Sequence, residues 1–125
     1  LHAVLVGLFM LLSPAAFGQQ LKLSPDSAYS QARTLAFRGA WPEARAVLVP
    51  LLQSHPAHTD ARLLMARTYA WAAQYEEALF HIDTVLRDSP HHVEAMALQA
   101  DIAHWRGDAT RALVLVDEAL THHTD

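Results

Sequence analysis

Histidine and acidic side chains are the residues of this sequence that could bind a metal or move protons. Asp101 and His104 lie one helical turn apart, but a zinc site needs three or four ligands and nothing completes this pair. Glu76 and Glu77 are adjacent, so they point to different sides of a helix and make a poor acid–base pair. The sequence contains no cysteine and no zinc-protease, serine-hydrolase or phosphate-loop motif. We therefore predict no catalytic residue, no metal site and no cofactor.

The other histidines fall mostly in three short segments that read as turns. They are His55 and His58, His91 and His92, and His122 and His123. If these turns stack along one edge of the molecule, imidazoles could lie close together, and histidine titrates near neutral pH. The favoured interpretation is that these side chains are solvated turn residues.

The elements that would position these side chains recur at intervals of 34 residues. Two alanine series, one aromatic series, one leucine series and a proline pair share this interval: Ala32, Ala66 and Ala100; Ala44, Ala78 and Ala112; Phe37, Trp71 and Trp105; Leu52, Leu86 and Leu120; Pro56 and Pro90. A period of about 34 residues is typical of an array of helix-turn-helix units. Such an array predicts recognition of a partner rather than catalysis.

Six helices are predicted, in three pairs that form an all-α solenoid. They cover 26–38 and 42–54, 60–72 and 76–88, and 93–106 and 109–122, in units 25–58, 59–92 and 93–125. Gly39, Ala73 and Gly107 mark the tight turn inside each pair. Pro50 falls inside the second helix, which we expect to be kinked or shortened there.

The first 18 residues differ in composition from the rest of the chain. An apolar run over residues 3–12 precedes small residues around 16–18, the pattern of a secretory signal peptide. The run is shorter than the roughly 20 apolar residues of a membrane-spanning helix. We predict a signal peptide over 1–18, a short polar lead over 19–24, and export to the periplasm.

The repeated residues resemble the tetratricopeptide repeat family. In that family, small residues at two fixed positions allow paired helices to approach closely, and a proline closes each unit, as Pro56 and Pro90 do here. The resemblance covers residues 25–125 and implies a non-catalytic module that binds a protein or peptide in a groove lined by the first helix of each unit.

Carrying the groove positions of that family onto this chain gives a set of candidate contact residues. They are Tyr29, Arg33 and Phe37 in the first unit, Asp60, Leu63, Arg67 and Trp71 in the second, and Glu94, Asp101, His104 and Trp105 in the third. Arg33 and Arg67 recur at equivalent positions and suit capture of a carboxylate or phosphate. The aromatic series either packs between helices or faces the groove, where it could hold a peptide side chain or a sugar.

A narrower resemblance concerns residues 61–79 and 100–113, ARLLMARTYAWAAQYEEAL and ADIAHWRGDATRAL. They look like the periplasmic repeats of YaiO-type outer-membrane proteins, in which a C-terminal transmembrane β-barrel follows. This resemblance implies either a piece of such a protein, lacking its C-terminal domain, or a free-standing periplasmic array. The alternative function is a soluble exported array that binds glycan or cell-wall polymer through its aromatic series.

The net charge of the chain and the apolar residues of its last predicted helix indicate which kinds of partner to expect. A formal net charge of −4 argues against nucleic acid, which would need a clustered basic face. The last predicted helix carries several apolar residues with no polar helix after it, although arrays usually need a polar capping element. We expect a following domain, a partner or a second copy to cover it.

Overall fold

A computed structural model describes residues 23–123, and these residues form six α-helices arranged in three antiparallel pairs. The helices are α1 (Pro25–Phe37), α2 (Trp41–Ser54), α3 (Thr59–Trp71), α4 (Tyr75–Asp88), α5 (Val93–Trp105) and α6 (Ala109–His123). The predicted all-α solenoid of three helix-turn-helix units is confirmed. The predicted signal peptide over 1–18 lies outside the described residues.

The first helix of each unit begins at an equivalent N-cap. The Ser24 hydroxyl accepts a hydrogen bond from the Ser27 backbone N–H, at 3.2 Å. In the next two units a histidine takes this role: His58 Nδ1 accepts from Ala61 N–H at 3.1 Å, and His92 Nδ1 accepts from Ala95 N–H at 3.3 Å. Two histidines predicted to be solvated turn residues are therefore helix caps.

The turn inside each pair requires a left-handed backbone residue. Gly39, Ala73 and Gly107 have φ angles of 87°, 58° and 84°. The sequence placed these three turns correctly. Glycine adopts such angles without steric cost, whereas the Cβ of Ala73 clashes with the neighbouring carbonyl oxygen.

Helix α2 departs from the prediction made for Pro50. The helix is not shortened, because it continues beyond Pro50 to Ser54. Pro50 is solvent-exposed, so the carbonyl that its ring leaves without a backbone donor lies where water can satisfy it.

The alanine series lie where the helices approach each other most closely. Ala32, Ala66, Ala44 and Ala78 are completely inaccessible to solvent. Their small side chains allow the two helices of a unit to pack tightly, and larger residues such as Leu48, Leu64 and Ile82 fill the space between units.

The order of the helices gives the array two different sides. Helix α3 contacts both α1 and α5, so the first helices form a continuous layer. Among the described helices, α2, α4 and α6 contact the first helices but not one another. The side formed by the second helices is therefore more open.

Candidate functional site

The layer formed by α1, α3 and α5 carries most of the predicted contact residues in three rows. An acid row occupies the first turn of each helix, with Asp26, Asp60 and Glu94 all exposed. A central row contains Arg33, Arg67 and Asp101, and an aromatic row at the helix ends contains Phe37, Trp71 and Trp105. The acid and aromatic rows repeat their chemistry every 34 positions, whereas the central row changes from arginine to aspartate in the third unit.

Charged groups from all three first helices converge near Tyr29. Arg67 Nη2 lies 3.5 Å from Glu94 Oε2, an ion pair that joins the second unit to the third. Burial raises the pKa of the Tyr29 hydroxyl above its ordinary value of 10.0, and the Asp60 carboxylate raises it further. The Arg33 and Arg67 guanidinium groups act in the opposite direction, so both lie within electrostatic range of the ring.

Helix packing also orients the Tyr29 ring. Its centroid lies 5.5 Å from that of His58, the histidine that caps α3. The hydroxyl and the neighbouring charges offer hydrogen-bond donors and acceptors in fixed positions. This part of the surface is able to bind a polar peptide segment, including its carboxylates.

The residues of the aromatic row divide between the two interpretations made from the sequence, because two of them are exposed and one packs between helices. Phe37 is 62% exposed and Trp105 is 43% exposed, whereas Trp71 is half-buried against the first core cluster. The Phe37 and Trp71 rings meet edge to face at 5.4 Å, and the Trp41 ring lies 6.5 Å from Trp71. The guanidinium carbon of Arg33 lies 5.3 Å from the Phe37 ring centroid.

Leu63 does not belong to the groove. It is 1% exposed and packs with Ala66, Ile82 and Leu98 in the second core cluster. Helix α3 lies between α1 and α5, so this position faces neighbouring helices, and an apolar side chain is stabilised there by burial. The prediction for Leu63 is corrected accordingly.

Asp101 and His104 are exposed on α5, as a groove contact must be. Within residues 23–123, no cluster of three or more histidine, aspartate or glutamate side chains is arranged to hold a metal ion. Two imidazoles do come together, because the rings of His91, in the turn before α5, and His122, near the end of α6, stack with centroids 3.7 Å apart.

A cluster on the other side of the array was missed from the sequence. The guanidinium carbon of Arg45 lies 4.5 Å from the Tyr69 ring centroid, and the His81 ring stacks on Tyr69 at 5.8 Å. Arg45 Nη1 is buried with no hydrogen-bond partner among the described residues, so the aromatic face is its main compensation. These positions differ between units, so the repeat pattern carried no signal for them.

The surroundings of His81 also disfavour its protonated form. Burial lowers the pKa of its imidazole below the ordinary 6.5, and the nearby Arg62 guanidinium lowers it further. Arg62 Nη1 lies 3.4 Å from His81 Nδ1, which must be the accepting nitrogen because a guanidinium only donates.

None of the helices between residues 23 and 123 combines the length and the hydropathy needed to cross a membrane. A family model for the tetratricopeptide repeat matches residues 35–102 of the chain. Among the curated proteins, the search finds no match.

Proposed function

Because the chain belongs to the tetratricopeptide repeat family, we propose that it is a non-catalytic interaction module whose protein partner binds along α1, α3 and α5. Proteins of this family generally mediate protein–protein interactions. The observation that carries the proposal is the convergence of Tyr29, Asp60, Arg67 and Glu94, from three units, on one surface.

We infer a peptide with one carboxylate, placed at Arg67, and at least one apolar side chain, because the acid row and Asp101 would repel further carboxylates. Arg67 is partly exposed and already bonds a carboxylate, that of Glu94, so a peptide carboxylate can replace or share this contact. The exposed Phe37 ring lies next to Arg33 and offers an apolar contact at the end of the same row.

We also propose that the module works in the periplasm, as the repeat domain of an outer-membrane barrel protein. The apolar segment at the start of the chain and the resemblance of residues 61–79 and 100–113 to YaiO-type proteins support this location. Two measurements test it. Residues 1–24 fused to a reporter that is active only outside the cytoplasm should give activity, and the coding sequence after Asp125 should encode alternating strands.

The exposed aromatic rings favour a second candidate, binding of a glycan or cell-wall polymer. Phe37 and Trp105 are exposed to solvent, and sugar rings stack on exposed aromatic side chains. Quenching of tryptophan fluorescence by soluble peptidoglycan fragments, lost in Trp105→Ala, would support this candidate over the peptide.

The peptide proposal is tested with ligands selected from a random peptide library on the purified protein. Titration calorimetry then compares wild type with Arg67→Ala and with a matched control, Arg87→Ala, an exposed arginine on the second helix α4. Loss of a charged hydrogen bond, about 1.5–3 kcal/mol, predicts affinity weaker by at least about tenfold for Arg67→Ala only. Equal affinity of wild type and Arg67→Ala would contradict the proposal.

A further inference from the structure

A cleft of about 490 Å³ lies between the second and third units, on the side opposite the first-helix surface. Its walls come from α4, α5 and α6, and its apolar lining includes Leu79, Ile102, Ala103 and Leu115. The cleft exists because α4 and α6 are not in contact, so that α5 forms the floor between them.

The equivalent place one unit earlier is filled by the protein itself. The residues 34 positions before Leu79, Ala103 and Leu115 are Arg45, Tyr69 and His81. There the Tyr69 ring lies between the Arg45 guanidinium, at 4.5 Å, and the His81 ring, at 5.8 Å and nearly parallel. One junction between units is therefore closed by a sandwiched aromatic ring, and the next has an alanine in the ring's place.

We propose that this cleft is a binding site for an aromatic side chain of a partner protein, inserted against Ala103 between Leu79 and Leu115. This goes beyond the proposed function, because it uses the second-helix side of the array. The space is sufficient, since an apolar cavity of about 150 Å³ already holds benzene. The inserted ring would fill the junction between the second and third units, as the Tyr69 ring fills the junction between the first and second.

The charged residues at the rim of the cleft indicate which partner residues would flank the inserted side chain. Two guanidinium groups, from Arg106 and Arg111, lie at its edge. Of the two rim carboxylates, Asp108 already accepts a hydrogen bond from the Arg111 backbone N–H at 3.0 Å, which caps α6. Asp83 lies on the α4 wall. Arg106 Nη2 already pairs with Glu76 Oε1 at 3.2 Å, so Arg111 is the rim guanidinium that is left to attract an acidic residue beside the inserted ring.

The test uses the short acidic peptide acetyl-Asp-Tyr-Asp-amide and its alanine counterpart, acetyl-Asp-Ala-Asp-amide, titrated into the ¹⁵N-labelled protein. The tyrosine peptide should shift the amide resonances of Ile102, Ala103 and Leu115, which line the cleft. The alanine peptide should bind more than about tenfold more weakly, since burying an aromatic ring removes about 150–250 Å² from water.

Two variants separate this site from any other. Ala103→Tyr should fill the cleft as Tyr69 does one unit earlier, so peptide binding should be lost while the thermal midpoint stays the same or rises. Arg111→Glu, at an exposed rim position, should weaken binding without unfolding the protein, whereas Arg87→Glu on the exposed face of α4 should not. Absence of cleft shifts at millimolar peptide would overturn the proposal, as would wild-type binding by folded Ala103→Tyr.

Discussion

Ala73 adopts a left-handed backbone conformation that glycine provides at the two equivalent turns. Its φ of 58° costs an L-residue roughly 1–2 kcal/mol, so Ala73→Gly should raise the free energy of unfolding by about 1 kcal/mol. The measurement is urea denaturation followed by circular dichroism.

The two glycine turns provide the matched controls for this prediction. A Cβ added at Gly39 or Gly107 meets no atom within 4 Å, so Gly39→Ala and Gly107→Ala report the backbone cost alone. Each should lower stability by about as much as Ala73→Gly raises it. An Ala73→Gly protein less stable than wild type would show that the alanine methyl group has a packing role.

His81 makes the stability of the array depend on pH. Because burial and then Arg62 lower the pKa of His81 below 6.5, the folded protein binds a proton there less readily than the unfolded chain. Stability from this residue is present above pH 6.5 and is lost as the pH falls through the lowered folded pKa.

The variant His81→Phe should therefore lose less stability than wild type on acidification from about pH 7.5 to about pH 5, where histidines titrate. Phenylalanine keeps an aromatic ring against Tyr69 but cannot take up a proton. Thermal midpoints across this range provide the measurement, with His104→Gln, at an exposed position, as the control. Parallel pH profiles for wild type and His81→Phe would be inconsistent with this role of His81.

The first helix of each unit depends on a cap that differs in chemistry along the array. In His92→Ala the N-terminal N–H groups of α5 lose their side-chain acceptor, which costs about 1 kcal/mol. His92→Ser should retain most of the stability, because serine supplies an acceptor as Ser24 does in the first unit. Chemical denaturation of the two variants isolates the contribution of the cap to stability. Equal losses of stability in both would show that His92 does not stabilise α5 as a cap.

At the level of helices, the sequence predicted most of the fold because the 34-residue period repeats its packing and turn residues together. Helix starts were displaced by at most one residue, and Pro50 does not shorten its helix because a proline at a solvated helix position can be tolerated. The histidine caps were missed since histidine is not among the common N-cap residues.

The candidate surface was only partly predictable, for a geometric reason. Equivalent residues can be exposed or buried according to the place of their unit in the array, because α3 lies between α1 and α5 whereas α5 contacts only one other first helix among the described residues. Thus Leu63 lies in the core, and Trp71 is half-buried beside Trp41 while Trp105 is exposed. The period identifies equivalent positions but contains no information on which neighbours surround each unit.

Across the whole molecule, the two ends of the array differ in polarity. Residues of α1 that correspond to the buried Ala61, Leu64 and Met65 of α3 are the exposed polar residues Ser27, Ser30 and Gln31. The other end is apolar. Leu48 and Ile82 are fully buried by the following unit, whereas the equivalent Val116 on α6 is 44% exposed. Within residues 23–123, the outer face of α1 is thus polar, whereas the outer face of α6 is apolar.

For residues 23–123 taken by themselves, this difference predicts self-association through the apolar face of α6. At high protein concentration, wild type should show a rise in average mass, because burying apolar surface favours association. The double variant Leu113→Glu and Val116→Glu should stay monomeric, while Val49→Glu, at an exposed apolar position of α2, should behave as wild type. Sedimentation equilibrium measures this, and identical mass curves for wild type and the double variant would rule out α6 as the contact.

The recurrence of the three rows in every unit also has a consequence for the partner's own sequence. An extended peptide advances about 3.3 Å per residue, whereas packed helices lie about 8–10 Å apart. A peptide crossing α1, α3 and α5 therefore meets equivalent rows at about every third residue. The peptide residues that contact the rows therefore recur with a period of three. Inserting or deleting one residue between two of them would move every later contact residue out of register with its row.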